Sequence, residues 1–150
     1  MRVALDTNVL AYSEGVNGAA LKNTALDLLS ALPQGLVVIP VQTLGELFRV
    51  LVGKAGWERV TARAAILGWS DAFETVETSA NVMLAAADLS VHHKIGIWDA
   101  VILCASEAAG CRLVLSEDMQ DGFTYKGTTV TNPFASTRHP LLQAVLNAKK

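Results

Sequence analysis

Four carboxylates stand in this chain where ordinary surface solvation does not explain them. Asp6 closes the apolar run Val3-Ala4-Leu5 and is the only charge between Val3 and Ser13. Glu46 is the only charge between residues 28 and 48. Asp99 sits in Ile95-Gly-Ile-Trp-Asp-Ala-Val-Ile-Leu-Cys-Ala-Ser, with no other charge from Ile95 to Ser106. Asp118 follows Leu113-Val-Leu-Ser116, within Ser116-Glu-Asp-Met-Gln-Asp-Gly122. Acids gathered together repel one another, so such a cluster persists only with shared protons or a cation. Hard divalent ions such as magnesium and manganese take carboxylate and water ligands and serve phosphate chemistry.

Each acid also has a purely structural reading. Asp6 can cap a helix that leaves the strand. Glu46 can pair with Arg49 one turn on, an interaction worth a few tenths of a kcal/mol. Asp118 can belong to a turn, where Asp and Gly are common, and Glu117 and Asp121 compete with it as ligands. Asp99 is the hardest to set aside. A helix apolar on all sides is buried, and a buried carboxylate needs a partner or ligand. A first-turn position helps an anion through the helix dipole.

The elements that must position these acids follow from pattern. Short apolar runs mark strands at Arg2–Asp6, Leu36–Pro40, Glu74–Thr78, Arg112–Ser116 and Thr128–Thr131. Several are apolar at consecutive positions, as in strands covered on both faces. Helical spacing or composition marks residues 17–32, 41–53, 57–71, 79–92 and 98–109. Val41, Leu44, Leu47, Phe48 and Leu51 trace one apolar stripe, and Gly53 and Gly110 are expected C-caps. Alternating strands and helices predict an α/β fold with a mostly parallel sheet, whose functional edge is the carboxyl end of the strands. Asp6 and Asp118 follow strands, while Glu46 and Asp99 fall early in helices, so all can reach that edge.

Bulk properties narrow the class. A chain of 150 residues fits a single domain spanning 1–150. With 51% hydrophobic and 17% charged residues, it packs as a globule. A formal charge of −2 argues against a passive polyanion binder, whose affinity comes from many basic contacts. Cys104 and Cys111 have no zinc-type spacing and read as reduced thiols. No signal-peptide core precedes Asp6, and residues 28–45 carry Pro33, Gly35 and Pro40, so a cytoplasmic protein without a membrane span is expected.

Taken with their order, the motifs Leu5-Asp-Thr-Asn-Val-Leu10, the isolated Glu46, Trp98-Asp-Ala100 and Leu115-Ser-Glu-Asp118 resemble the PIN-domain ribonucleases, particularly VapC-type toxins of type II toxin–antitoxin systems. Val130-Thr-Asn-Pro-Phe134 is similar to the end of that domain. The resemblance spans essentially the whole chain. It implies a three-layer α/β/α fold with a five-stranded sheet in the order 3-2-1-4-5. It also implies a magnesium-dependent endoribonuclease (manganese serving as well), a homodimer and inhibition by a small antitoxin. Asp6, Glu46, Asp99 and Asp118 match the family's catalytic, metal-binding acids, and Asn8 and Ser116 its supporting polar positions. Metal-activated water would then attack the RNA phosphodiester, leaving a 5′-phosphate and a 3′-hydroxyl.

Arg49, Lys54, Arg59 and Arg63 are candidate RNA contacts, though a solvated helix face accounts for them equally. Trp57 and Trp69 could stack on bases but suit helix packing better. His92, His93 and His139 form no catalytic pattern and read as surface residues. Two other functions stay open. A haloacid-dehalogenase-like phosphatase also places an Asp after its first strand, but wants a second Asp where Asn8 stands. A non-catalytic PIN-like binding module is the other.

Overall fold

In the computed structural model, which describes residues 1–148, the parallel strands are β1 (Arg2–Leu5), β2 (Val37–Pro40), β3 (Glu74–Val76) and β4 (Cys111–Leu115). A short β5 (Thr124–Tyr125) then runs antiparallel to β6 (Thr128–Thr131), which pairs parallel with β4. The sheet order is β3-β2-β1-β4-β6-β5. This is the expected 3-2-1-4-5 arrangement with one added edge strand. That strand pairs through only two residues, too few for a periodicity signal. Lys126 and Gly127 both have positive φ, 45° and 88°, the backbone signature of the tight hairpin turn that makes the pair.

Consecutive strand residues point to opposite faces, and both faces are covered. Val3, Leu5, Val37, Ile39, Leu113 and Leu115 enter one core; Ala4, Val38, Val114 and Val130 enter the other. That two-sided burial explains the consecutive apolar positions at 3–5, 37–40 and 113–115. Over the first face lie α1 (Thr7–Ser13), α2 (Ala19–Ala31), α3 (Val41–Arg49), α4 (Arg59–Ala72) and α7 (Pro140–Ala148). Over the second lie α5 (Ala80–His93) and α6 (Ile97–Ala108), where Ala100 through Ser106 are all buried.

Several sequence expectations are corrected. β1 stops at Leu5, and the residues after it form α1, a seven-residue helix too short to show two full periods. The helix expected to run through Gly53 loosens into a π turn at Val50–Lys54, where Ala55 N–H bonds the Val50 carbonyl at 3.0 Å. Gly53 therefore lies inside that turn and caps nothing. Gly110 does follow α6 with φ of 79°, as a C-terminal glycine should. Val41 lies at the rim of its stripe, 36% exposed, while Leu47 and Leu51 are fully buried. Helix α7 was not anticipated. It opens on Pro140, which suits a first helical position, and buries Leu142, Val145 and Leu146 in the first core. His139 is half-buried and accepts the Leu141 N–H through Nδ1, so it serves that helix start. Trp57 and Trp69 pack against the first core, as helix packing requires. Both cysteines are free and buried. No helix among the described residues is long and apolar enough to cross a membrane.

Candidate active site

Register brings the carboxyl ends of three strands level. Leu5 pairs with Leu115, and Leu115 with Thr131. One residue further, Asp6 N–H bonds the Leu115 carbonyl and Ser116 N–H bonds the Thr131 carbonyl, both at 3.0 Å. Asp6 and Ser116 thus leave the sheet side by side. The Ser116 hydroxyl donates to Asp6 Oδ2 at 2.7 Å, and the Thr7 N–H donates to Asp6 Oδ1 at 2.7 Å. The capping and site readings of Asp6 hold together, since one carboxylate oxygen caps α1 while the other is held by Ser116.

Asp6 is only 3% exposed, and its carboxyl is raised to about 6. Burial is the main cause, because it penalises the ionised form. The Ser116 and Thr7 hydrogen bonds pull the other way, and the negative charges of Asp99 and Glu46 add to the rise.

Helix α3 begins directly from the end of β2, and the buried Thr43 hydroxyl bonds the Leu5 carbonyl at 3.2 Å, fixing the helix against β1. Glu46, one turn on, reaches the same edge. Its Oε2 accepts the Thr7 hydroxyl at 2.7 Å, and its Oε1 accepts from Gln42 Nε2 at 3.2 Å. The Thr7 hydroxyl is also 3.4 Å from Asp6 Oδ1, but it has one proton, and the shorter contact takes it. The alternative Glu46–Arg49 ion pair is not formed; among the described residues Arg2–Glu74 is the ion pair present.

Asp99 lies in the first turn of α6 and is half-buried. Burial first, then the charges of Glu46 and Asp118, raise its carboxyl above the ordinary value. Asp118 is exposed on the loop after β4. Its two competitors are engaged elsewhere: Glu117 Oε1 accepts the Tyr12 hydroxyl at 2.6 Å, and Asp121 Oδ1 accepts the Asn132 N–H at 2.9 Å. Burial, followed by that bond to Glu117, pushes Tyr12 up to about 12, so it is a neutral donor near pH 7. Asn8 is half-buried in α1, two residues after Asp6, with no hydrogen bond from its amide among the described residues.

The structure therefore brings Asp6, Glu46, Asp99 and Asp118 within electrostatic reach at one sheet edge. Ser116 is hydrogen-bonded to Asp6, while Asn8 follows two residues on in α1, with no hydrogen bond to the acids among the described residues. Arg49, Lys54, Arg59 and Arg63 are all exposed on α3, the π turn and α4. Thr7, Thr43 and Tyr12 were missed as organisers of the site. Thr7, adjoining Asp6, carried a usable signal. Tyr12 meets Glu117 across 105 positions and carried none.

The donors are hard carboxylate oxygens with no lysine or arginine among the described residues paired to neutralise them, which suits a divalent cation. Among the described residues, no three acids close to the spacing of a ready-made cage. An open set of this kind fits an ion that keeps part of its water shell better than one wholly wrapped by protein.

A family model described as PIN domain matches residues 3–122. The fold is similar to VapC20 of Mycobacterium tuberculosis, a toxin described as cleaving the sarcin–ricin loop, at TM-score 0.66 and 21% identity, over 77% of this chain and 89% of that one. It is similar to a toxin–antitoxin complex from Klebsiella pneumoniae at TM-score 0.64 and 22% identity, over 88% and 98%. It also matches DNA-bound VapBC from Salmonella typhimurium at TM-score 0.63 and 15% identity, over 89% and 98%. At these identities the likeness speaks for the fold. A comparison with curated proteins gives no match.

Proposed function

The chain belongs to the PIN-domain family, and from that premise we propose that it is a magnesium-dependent endoribonuclease, the toxin of a toxin–antitoxin pair. The observation that carries this reading is the convergence of Asp6, Glu46, Asp99 and Asp118 with no cationic side chain among the described residues paired to any of them. Structural acids on a protein edge are normally balanced by lysine, arginine or solvent. Here burial and mutual repulsion raise Asp6 and Asp99 instead, a pattern typical of functional sites.

Asp6 and Asp99 would hold the ion directly, with Glu46 and Asp118 acting through water. A bound magnesium or manganese ion supplies Lewis acidity, lowers the pKa of water and offsets charge on the phosphoryl oxygens. The protein's own part is orientation. Ser116 fixes Asp6 through Oδ2, leaving its carboxylate unable to rotate freely. Thr7 and Gln42 hold both oxygens of Glu46. Asn8 stands free to orient water or substrate in the same quarter, as groups behind a metal's ligands commonly do.

The overall charge of −2 leaves RNA affinity to local features, among which we include Arg49, Lys54, Arg59 and Arg63. The relatives' descriptions as toxins and toxin–antitoxin complexes support a small antitoxin partner, and we include a homodimer and a cytoplasmic setting in the same proposal on the family resemblance alone. Membership of the family removes the haloacid-dehalogenase-like alternative. Incubating the purified protein with single-stranded RNA, with magnesium and with chelator, tests the proposal. Cleavage that needs the metal and disappears in Asp99→Asn is expected. A folded parent that leaves RNA intact in magnesium, or a folded Asp99→Asn that cleaves normally, overturns it.

A further inference from the structure

Beside the acids lies a cleft of about 370 Å³ that the acid cluster itself does not account for. Asp99 and Asp118 form part of its wall, so whatever fills it adjoins the reacting centre. It opens between the short α5–α6 turn, which delivers Asp99, and the loop after β4, which delivers Asp118. Its size falls within the range of small-ligand sites.

The lining divides by chemistry. Leu103 and Val130 are fully buried and Met119 nearly so, making an apolar floor. Phe123 is half-buried and stands 5.3 Å from His93 in an edge-to-face pair with rings at 73°. Two rings at that angle form a corner: a flat heterocycle can stack on one and meet the other edge-on. Lys94 and Gln120 are both exposed at the rim. Lys94 caps α5 in the left-handed conformation, φ 55°, with its N–H on the Ser90 carbonyl at 2.9 Å. This puts a cation beside an otherwise uniformly acidic site, where it can meet a phosphate without neutralising the acids.

We propose that this cleft receives the nucleobase of the nucleotide adjoining the scissile phosphate, against Phe123 and His93, with Lys94 and Gln120 supplying polar contacts at its rim. The substrate identity rests on the ribonuclease reading; the cleft's preference for a planar, phosphate-bearing ligand does not. An apolar floor, an aromatic corner and a rim cation are the parts from which proteins build single-strand sites, where stacking tolerates any base and sequence preference enters through polar contacts. His93, an exposed surface residue by sequence, thereby acquires a role.

Two experiments on the full chain test this. In the first, a single-stranded RNA is cleaved after an abasic residue is placed in turn at each position around the cut. One abasic position next to the cut should raise KM about tenfold in the parent, as loss of a base–aromatic contact does. The same position should cost little in Phe123→Leu, which keeps apolar bulk while removing the ring. Gln120→Ala should change the preferred base, read as the ratio of kcat/KM among RNAs that differ only at that position. Equal abasic penalties in parent and Phe123→Leu would overturn the assignment.

In the second, each of the four nucleoside 5′-monophosphates is titrated in the absence of divalent metal, following the His93 and Phe123 ring resonances by NMR. Saturable shifts of those rings are expected, weaker in Phe123→Leu. Shifts without any RNA cleavage would retain the cleft and dismiss the nuclease reading. Rings that do not move with any nucleotide dismiss the cleft, whatever the parent does to RNA.

Discussion

The two ends of β1 treat charge in opposite ways. At the amino end, Arg2 pairs with Glu74 at 2.7 Å and gives a second hydrogen bond to the Ala109 carbonyl at 2.8 Å. At the carboxyl end, only four residues away, Asp6 is buried against Ser116 and faces Asp99 and Glu46, with no cation among the described residues in contact. The first end is built as an ordinary sheet edge is built, with each charge answered. The second keeps like charges together and accepts a raised Asp6 carboxyl as the cost. A fold that can neutralise charge at one end of a strand and leaves it unanswered at the other reserves the second end for something that binds there.

Changing each end separately should break or sharpen that contrast. The largest effect is expected on catalysis: Asp6→Asn or Asp99→Asn should lower kcat/KM for RNA by on the order of a hundred- to a thousandfold, the scale of losing one preorganised electrostatic contact. Arg2→Met, at the neutralised end, should leave kcat/KM near the parent value. Equal losses at both ends, in folded proteins, would show that the acids hold the fold and nothing more.

Next in size is the pH dependence of stability without metal. Burial raises Asp6 from an ordinary 3.8 to about 6. Between those values the native state therefore binds more protons than the unfolded chain, and stability falls as pH rises. Converted at 1.36 kcal/mol per unit, the loss is roughly 3 kcal/mol, most of it incurred by about pH 6 and the rest as pH rises through that value. Asp99, raised in the same direction, adds to the fall. Urea unfolding from pH 4 to pH 7 should show the decline, and Asp6→Asn should flatten it. A parent that gains stability over this range would contradict the unneutralised cluster.

Magnesium should reverse much of that loss. A ligand bound by the native state alone stabilises it by about 2.7 kcal/mol at a hundredfold excess over Kd. For a chain of this length the melting temperature should then rise by about 5–10 °C. Asp99→Asn should respond less. Parallel calorimetric shifts in parent and mutant would mean that the acids do not share an ion.

The smallest effect belongs to the neutralised end. Arg2 and Glu74 are 32% and 64% exposed as side chains, so solvent screens their attraction, and Glu74→Gln should cost no more than about 1 kcal/mol. Added salt should shrink that difference further. A larger cost would make the amino end as specialised as the other, and the comparison would fail.

Sequence alone went a long way here because its strongest signals are local and of two kinds. Strands buried on both faces are apolar at consecutive positions, so runs such as those at 37–40 and 113–115 announce a covered parallel sheet. Lone acids within apolar surroundings announce themselves by the cost of burying them, which is why Asp6 and Asp99 stood out. The strand order 3-2-1-4-5 came only with the resemblance to the PIN family, and the register is set by packing. Elements too short to develop a period escaped: α1, the two-residue β5, and the π turn that interrupts the helix through Gly53.

Only the tertiary structure could decide which acids of the Ser116–Gly122 loop face the site. Glu117, Asp118 and Asp121 are alike by type and spacing. Their difference comes from Tyr12 and Asn132, which approach from elsewhere in the chain and occupy Glu117 and Asp121. The cleft between His93 and Phe123 is likewise a property of two distant segments meeting. Burial cost can be read residue by residue, since it depends on the side chain and its immediate neighbours. Hydrogen-bond partners and cavities depend on where the rest of the chain arrives, and that is settled when the elements pack.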